Sequence, residues 1–135
     1  YGYYYTWYST YTGNTSTNNT DPCTKLKSDY GTGWRTPNSN ELTMLSRCTD
    51  KTITNKGMWF MNNTIGLFLP ATGFRNHTQG SYTSVETDGT YARYWSSNSN
   101  GNYAYALEFG NNSAGVTNNN NRKENGLTVR CVKNK

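Results

Sequence analysis

No stretch of this sequence approaches the roughly 20 apolar residues of a membrane-spanning helix, so no membrane insertion by this segment is expected. There is one histidine, His77, and the three cysteines Cys23, Cys48 and Cys131 show no CxxC spacing. A zinc site needs more nitrogen and sulfur ligands than that, so no metal is expected. Lysine and arginine never run together beyond pairs such as Arg122-Lys123. The net charge of +5 and the pI near 9.1 therefore read as scattered solvated charge rather than a nucleic-acid footprint. The opening Tyr1-Gly2-Tyr3-Tyr4-Tyr5 has neither the basic start nor the apolar core of a signal peptide. This reads as a mature product or an excised domain, the C-terminal part of a longer secreted protein whose export signal lies upstream.

Catalytic constellations are thin as well. The eight acids are Asp21, Asp29, Glu41, Asp50, Glu86, Asp88, Glu108 and Glu124. Asp21 reads as a helix cap and Glu41 as a helix-start residue. Glu86 and Asp88 share a face if their segment is a strand, a weak hint of a glycosidase pair. His77 lies in Asn76-His77-Thr78-Gln79-Gly80 with no nucleophile-elbow sequence beside it, and reads as a surface-loop histidine. No catalytic residue and no cofactor are expected, and the chain reads as a binder rather than an enzyme.

What is present is aromatic. Apolar residues make up only 33% and mean hydropathy is -0.93, values a disordered chain could share. An aromatic share of 15% argues for a folded core built from rings, because disordered segments are poor in them. The 135 residues suit one domain over 1–135, with neither an internal repeat nor a linker.

Tyr3 to Ser9 is strand-like in composition. Asp21-Pro22 predicts a helix running to about Tyr30, where Gly31 and Gly33 stop it. Thr36-Pro37 predicts a second, with Leu42, Leu45 and Cys48 on its apolar face. Strands are predicted at Met58 to Met61, Leu67 to Pro70, Arg93 to Ser97, Tyr103 to Phe109 and Leu127 to Val132, the last two with clear period-two alternation. In the fourth, Tyr103, Tyr105, Leu107 and Phe109 alternate with Ala104, Ala106 and Glu108. The expectation is an α+β fold: two helices packed on a twisted, mostly antiparallel sheet with long irregular loops, the N-terminal strand beside the C-terminal one.

Five segments, in order, carry a resemblance. They are Tyr3-Tyr4-Tyr5-Thr6-Trp7-Tyr8; Asp21-Pro22-Cys23 with Gly33-Trp34-Arg35-Thr36-Pro37 and Glu41-Leu42; Phe68-Leu69-Pro70-Ala71-Thr72-Gly73-Phe74-Arg75; Tyr94-Trp95-Ser96-Ser97; and Gly126-Leu127-Thr128-Val129-Arg130-Cys131-Val132. This set resembles the Fibrobacter succinogenes major paralogous domain, a bacterial branch of the C-type-lectin-like fold. Thr36 stands where that family usually has Leu. The resemblance implies a Cys23–Cys131 disulfide joining first helix to last strand, hence an extracellular or cell-surface location, and leaves Cys48 as a buried free thiol. It does not carry calcium-dependent sugar binding. The Glu-Pro-Asn and Trp-Asn-Asp tripeptides of such lectins are absent, and the C-terminal third holds only Glu108 and Glu124 as carboxylates.

The remaining anomaly is asparagine, crowded between residues 98 and 125. Asn favours polar turns and tolerates left-handed backbone. It also offers donor and acceptor together and, with Tyr, Ser and Gly, suits a paratope-like surface. The stretch from Tyr94 to Arg130 resembles the variable region of retroelement-diversified proteins, in which Asn codons are the sites of change. That resemblance implies displayed, ligand-binding positions at Asn98, Asn100, Asn102, Tyr103, Ala106, Glu108, Asn111, Asn112, Asn118, Asn119, Asn120, Asn121, Lys123 and Glu124. It implies that Tyr105, Leu107 and Phe109 stay as core. Glu108 fits least, because adenine changes in an Asn codon cannot give Glu. The expected partner is a protein or glycan on another cell or particle, bound without calcium. The alternative is a structural or pilus-tip module with no specific ligand.

Overall fold

The computed structural model describes residues 3–10, 21–26, 30–62, 65–77 and 89–134. Among them are eight strands: β1 (Trp34–Arg35), β2 (Asp50–Thr54), β3 (Gly57–Asn62), β4 (Ile65–Pro70), β5 (Ala92–Asn100), β6 (Tyr103–Gly110), β7 (Ser113–Thr117) and β8 (Val132–Lys133). One α-helix, α1 (Ser39–Ser46), lies among the described residues. The strands form three antiparallel sheets, β1-β8, β2-β3-β4 and β5-β6-β7.

This corrects the expected fold. The molecule is a small β-rich domain, not two helices on one sheet, and the C-type-lectin-like α+β expectation is overturned. Of the predicted first helix, Pro22–Leu26 is a 3₁₀ turn, and residues 27–29 lie outside the described residues. Asp21 caps it as expected, accepting from the Cys23 amide at 2.9 Å, but the carboxylate is drawn elsewhere too. It also accepts from the Thr36 hydroxyl at 3.0 Å and the Thr36 amide at 3.1 Å. Asp21 and Thr36 are both fully buried, so three donors satisfy a carboxylate taken out of water. Thr at position 36 is thereby explained: a Leu there could not donate the hydroxyl bond. The strand-like composition at the N-terminus also misleads. Only Tyr5 bridges, to Leu127, and Trp7–Ser9 is a 3₁₀ turn. N- and C-terminal segments do lie side by side, through that bridge and through the Trp7 amide, which donates to the Lys123 carbonyl at 2.9 Å.

The second helix forms, starting two residues later than Pro37. Asn38 caps it and Glu41 returns the bond to the Asn38 amide, a complete capping box. Arg35 grips the same Glu41 with two bonds, at 2.8 and 2.6 Å, and holds its carboxyl below the usual range. Leu42 is buried, and Leu45 and Cys48 pack against the core, as the spacing predicted.

The sheet β5-β6-β7 is covered on both faces. Ala92, Tyr94, Leu107 and Phe109 face a cluster completed by Leu42 of α1 and by Met58, Phe60 and Leu69 of the second sheet. Trp95, Ala104 and Ala106 face the opposite way, against Trp7, Phe74 and Leu127. The Trp95 indole donates to the Tyr5 carbonyl at 2.7 Å and the Trp7 indole to the Ser96 carbonyl at 2.9 Å. These bonds tie the N-terminal segment across β5. The 126–128 stretch runs along the free edge of β5, bonded from Trp95 N–H to the Thr128 carbonyl at 2.9 Å.

Three strands escape the sequence reading, β1, β2 and β7, and turn chemistry accounts for the last two. Asn111 and Asn112 have φ of 49° and 60°, the left-handed pair of a tight two-residue hairpin, so β7 returns directly along β6. Asn55-Lys56 turns β2 into β3 in the same two-residue span. Between β5 and β6, Gly101 takes φ of 56°, which a glycine adopts without penalty.

The disulfide joins Cys23 to Cys131 and Cys48 is a free, half-buried thiol. Closing a loop of sequence separation 108 stabilises by about 4 to 5 kcal/mol in the chain-entropy model. Non-reducing peptide mapping should return the Cys23–Cys131 pair with Cys48 alkylatable after unfolding. Reduction should lower the unfolding free energy by several kcal/mol, read from denaturant midpoints. A Cys48-containing bridge in the map would contradict this fold.

Candidate functional site

The hairpin topology gathers part of the asparagine crowd and separates the rest. β5 ends, and β6 begins, at Asn100 and Tyr103, which pair. β7 runs back toward the same end, since Thr117 pairs with Ala106. The chain from Asn118 onward then folds over the tip. Asn121 accepts from the Ala104 amide at 2.9 Å, Arg122 bridges Tyr103, and the Lys123 amide donates to the Asn102 carbonyl at 3.2 Å. Asn100, Asn102, Tyr103 and residues 118–124 therefore share one end of the molecule. Asn111 and Asn112 are exposed at the other end of β6, about 24 Å away at the usual rise of a strand.

The expected display positions differ sharply in exposure. Asn98, Asn100, Asn102, Asn119, Asn120 and Glu124 are exposed, and Tyr103 is 36% exposed. Asn118 and Lys123 are half-buried. Ala106 and Asn121 are fully buried. Ala106 faces the Trp95 cluster, where the alternation of β6 puts it, and a larger residue would meet close packing. Asn121 donates its amide to the Thr117 carbonyl at 3.0 Å, so it anchors the loop from inside. Its Oδ1 is buried with no hydrogen-bond partner among the described residues. Of the residues expected in the core, Leu107 and Phe109 are buried and Tyr105 is half-buried.

Other positions have fixed partners. The Asn98 side chain accepts from the Ser39 amide at 2.8 Å and so joins β5 to the start of α1. Lys123 lies 4.4 Å over the Trp7 ring, and Glu124 accepts from the Tyr8 hydroxyl at 3.5 Å. Glu108 sits in a three-residue knot. It accepts from the Tyr91 hydroxyl at 2.6 Å and pairs with Arg93 at 3.2 Å, while Arg93 donates to the Tyr91 oxygen at 2.6 Å and covers the Phe74 ring at 4.1 Å. Burial, then the Glu108 bond, pushes the Tyr91 phenol well up, so it stays a donor.

Three adjoining hollows make up the surface. Tyr103, Asn118, Asn119 and Asn120 line one of about 400 Å³. Asn119 and Asn120 continue into a second, also about 400 Å³, that reaches Arg93 and Glu108. Tyr103 and Asn120 continue into a third of about 250 Å³, with Asn76, His77, Arg122 and Asn125. Asn120 therefore lies at the junction of all three, its backbone left-handed at φ of 61°. The buried Asn125 holds that junction: its amide donates to the Asn120 carbonyl at 3.2 Å and its oxygen accepts from the His77 amide at 3.2 Å. Arg122 stands 5.9 Å from the Tyr103 ring centre.

Sequence reasoning missed Arg122, Asn76 and His77 as surroundings of Tyr103. Only the position of Arg122 inside the asparagine stretch offered a signal. Among the described residues, the lining around His77 contains no carboxylate and no serine, threonine or cysteine. The hollow at Arg93 holds, among the described residues, one carboxylate, Glu108, already paired. Glu86 and Asp88 lie outside the described residues. Among the described residues no group of three His, Cys, Asp or Glu side chains could hold a metal, and no helix is long and apolar enough to cross a membrane.

The knot yields a stability test. Glu108→Gln removes the charge that balances a mostly buried Arg93, and should cost about 2 kcal/mol. Asn119→Ala, at an exposed loop position, should cost less than about 0.5 kcal/mol. Denaturant titration of the two variants checks both.

A family model described as a domain of unknown function, DUF8237, matches residues 45–132. That span takes in the end of α1, strands β2 to β7, the whole of the Tyr103 surface and the start of β8. No curated protein matches the chain, and no solved structure does. With well over half of its length covered, the chain belongs to this family of uncharacterised domains.

Proposed function

We propose that this domain is an extracellular ligand-binding or adhesin module that uses the Tyr103–Asn119–Asn120 surface to hold a protein or glycan without calcium. The observation that carries the reading is the continuity of the three hollows around one tyrosine and one loop of amides, braced from behind by buried Asn121 and Asn125. A half-exposed ring gives contact area at low entropy cost, and exposed amides supply adaptable hydrogen bonds. The support is rigid: β6 beneath it is packed on both faces, and the disulfide suits an oxidising compartment. Among the described residues the hollows bring together no nucleophile–base pair and no unpaired carboxylate, which favours binding over catalysis. The competing reading, a structural or pilus-tip module, would leave the surface without a ligand.

Asn102→Ala, Tyr103→Ala, Asn119→Ala and Asn120→Ala combined should leave the fold intact. Adhesion of the purified domain to intact bacterial cells, measured in EDTA, should fall at least about tenfold, as expected for loss of a tyrosine anchor and its polar neighbours. Unchanged adhesion by the folded variant would sink the surface assignment. Loss of assembly without loss of adhesion would favour the structural module.

The resemblance to retroelement-diversified proteins adds a prediction at the level of the locus. A near-copy of the segment beside a reverse transcriptase, differing only at adenines, should be present. Variation among copies should fall on exposed Asn100, Asn102, Tyr103, Asn119 and Asn120. It should spare Ala106, Glu108 and Asn121, whose side chains are packed or paired. Sequencing the locus decides this, and its outcome is independent of whether the present surface binds.

A further inference from the structure

A larger hollow lies elsewhere. It has a volume of about 740 Å³ and lies between the N-terminal tyrosines Tyr3, Tyr4 and Tyr5, the 69–72 stretch at the end of β4, and the 128–130 stretch. It exists because two paired segments part. Tyr5 and Leu127 exchange both backbone bonds, at 2.8 and 3.0 Å. A continued ladder would set Tyr3 against Val129, but no bridge forms there, and the gap opens between them. Its walls are stiff. The Tyr94 hydroxyl donates to the Pro70 carbonyl at 2.7 Å, the Tyr4 hydroxyl donates to the Thr72 carbonyl, and the Thr72 and Thr128 hydroxyls meet at 3.2 Å. Tyr3, by contrast, leaves 79% of its surface in water, an exposure that the packing of the domain does not require.

The charge of this hollow is one-sided. Arg130 is the only ionisable side chain in its lining besides the tyrosines, and it is exposed with no ion-pair partner among the described residues. We infer that the hollow is a second binding site, for an acidic sugar residue: a six-membered ring carrying a carboxylate, within a short glycan. Tyrosine faces take the C–H faces of such a ring, while phenolic and threonine hydroxyls meet its hydroxyls. The Arg130 guanidinium fits a carboxylate with two parallel bonds. The volume suits a disaccharide and falls within the usual range of small-ligand sites. An extended peptide fits less well. Adding a strand needs an open row of backbone donors and acceptors, and both Tyr5 groups and both Thr128 groups are already bonded.

The test uses the whole domain, titrated calorimetrically with a galacturonic-acid disaccharide, its methyl ester and an acidic proline-rich peptide. The disaccharide should bind saturably with a Kd on the order of 1 mM or tighter. Arg130→Gln and, separately, Tyr3→Ala should each weaken it about tenfold, because both side chains are exposed and their loss leaves the fold intact. The ester should bind as weakly as Arg130→Gln does to the acid. The combined Tyr103→Ala, Asn119→Ala variant should bind the disaccharide unchanged, which separates this site from the surface proposed above. No saturation up to about 10 mM, equal binding by Arg130→Gln, equal binding of ester and acid, or binding of the peptide alone would each overturn the inference.

Discussion

Everything in this domain hangs on a strand that is buried twice. β6 presents Leu107 and Phe109 to one apolar cluster and Ala104 and Ala106 to another, and each cluster recruits a different part of the chain. The large residues draw in α1 and the β2-β3-β4 sheet. The small ones leave room for two indoles, Trp95 and Trp7, whose N–H groups then find backbone carbonyls across the N-terminal segment and β5. Burying a Trp without a partner for its N–H would be costly, so these two bonds fix where the N-terminal segment lies. A chain with so few aliphatic residues can fold this way because each ring buries a large area, about 150–250 Å².

The asparagine crowd divides along the same lines. Asn111, Asn112 and Asn120 adopt left-handed backbone, Asn121 and Asn125 are buried supports, and Asn98 caps a neighbouring element. Turn chemistry and surface chemistry are therefore not alternatives here. Some asparagines build the loop, and that construction holds others, with Tyr103, at the surface. Glu108 belongs to the builders. Its knot with Tyr91 and Arg93 gives a structural reason for a residue that codon chemistry does not supply.

Legibility in the sequence followed local rules and failed where tertiary contacts overrode them. The face of α1 was readable because Leu42, Leu45 and Cys48 repeat at helical spacing. β6 was readable from its alternation, although alternation alone predicted one buried face and hid the burial of Ala106. The first helix was misread. Asp21-Pro22 is a sound start signal, but the Asp21 carboxylate is also claimed by Thr36, and the turn that follows, Pro22–Leu26, is 3₁₀. β7 was missed because Ser113–Thr117 is nearly free of large apolar residues and owes its place to the Asn111-Asn112 turn and to pairing with β6. The clustering of Asn102 with Asn119 and Asn120 depends on that same strand. The resemblance supplied the disulfide pairing, which composition alone left open, but carried the fold class too far.

The position of that disulfide has a mechanical consequence. Tension applied through the chain on either side of the domain passes from Cys23 to Cys131 through a covalent bond, and the loop between them, of sequence separation 108, lies outside the load path. Both hairpin sheets, the whole Leu107–Phe109 cluster, every member of the other cluster except Trp7, and the Tyr103 surface belong to that sheltered loop. A pull strong enough to peel Tyr5 from Leu127, or β8 from β1, would strip the margins of the domain and leave the sheet that carries Tyr103 unstretched.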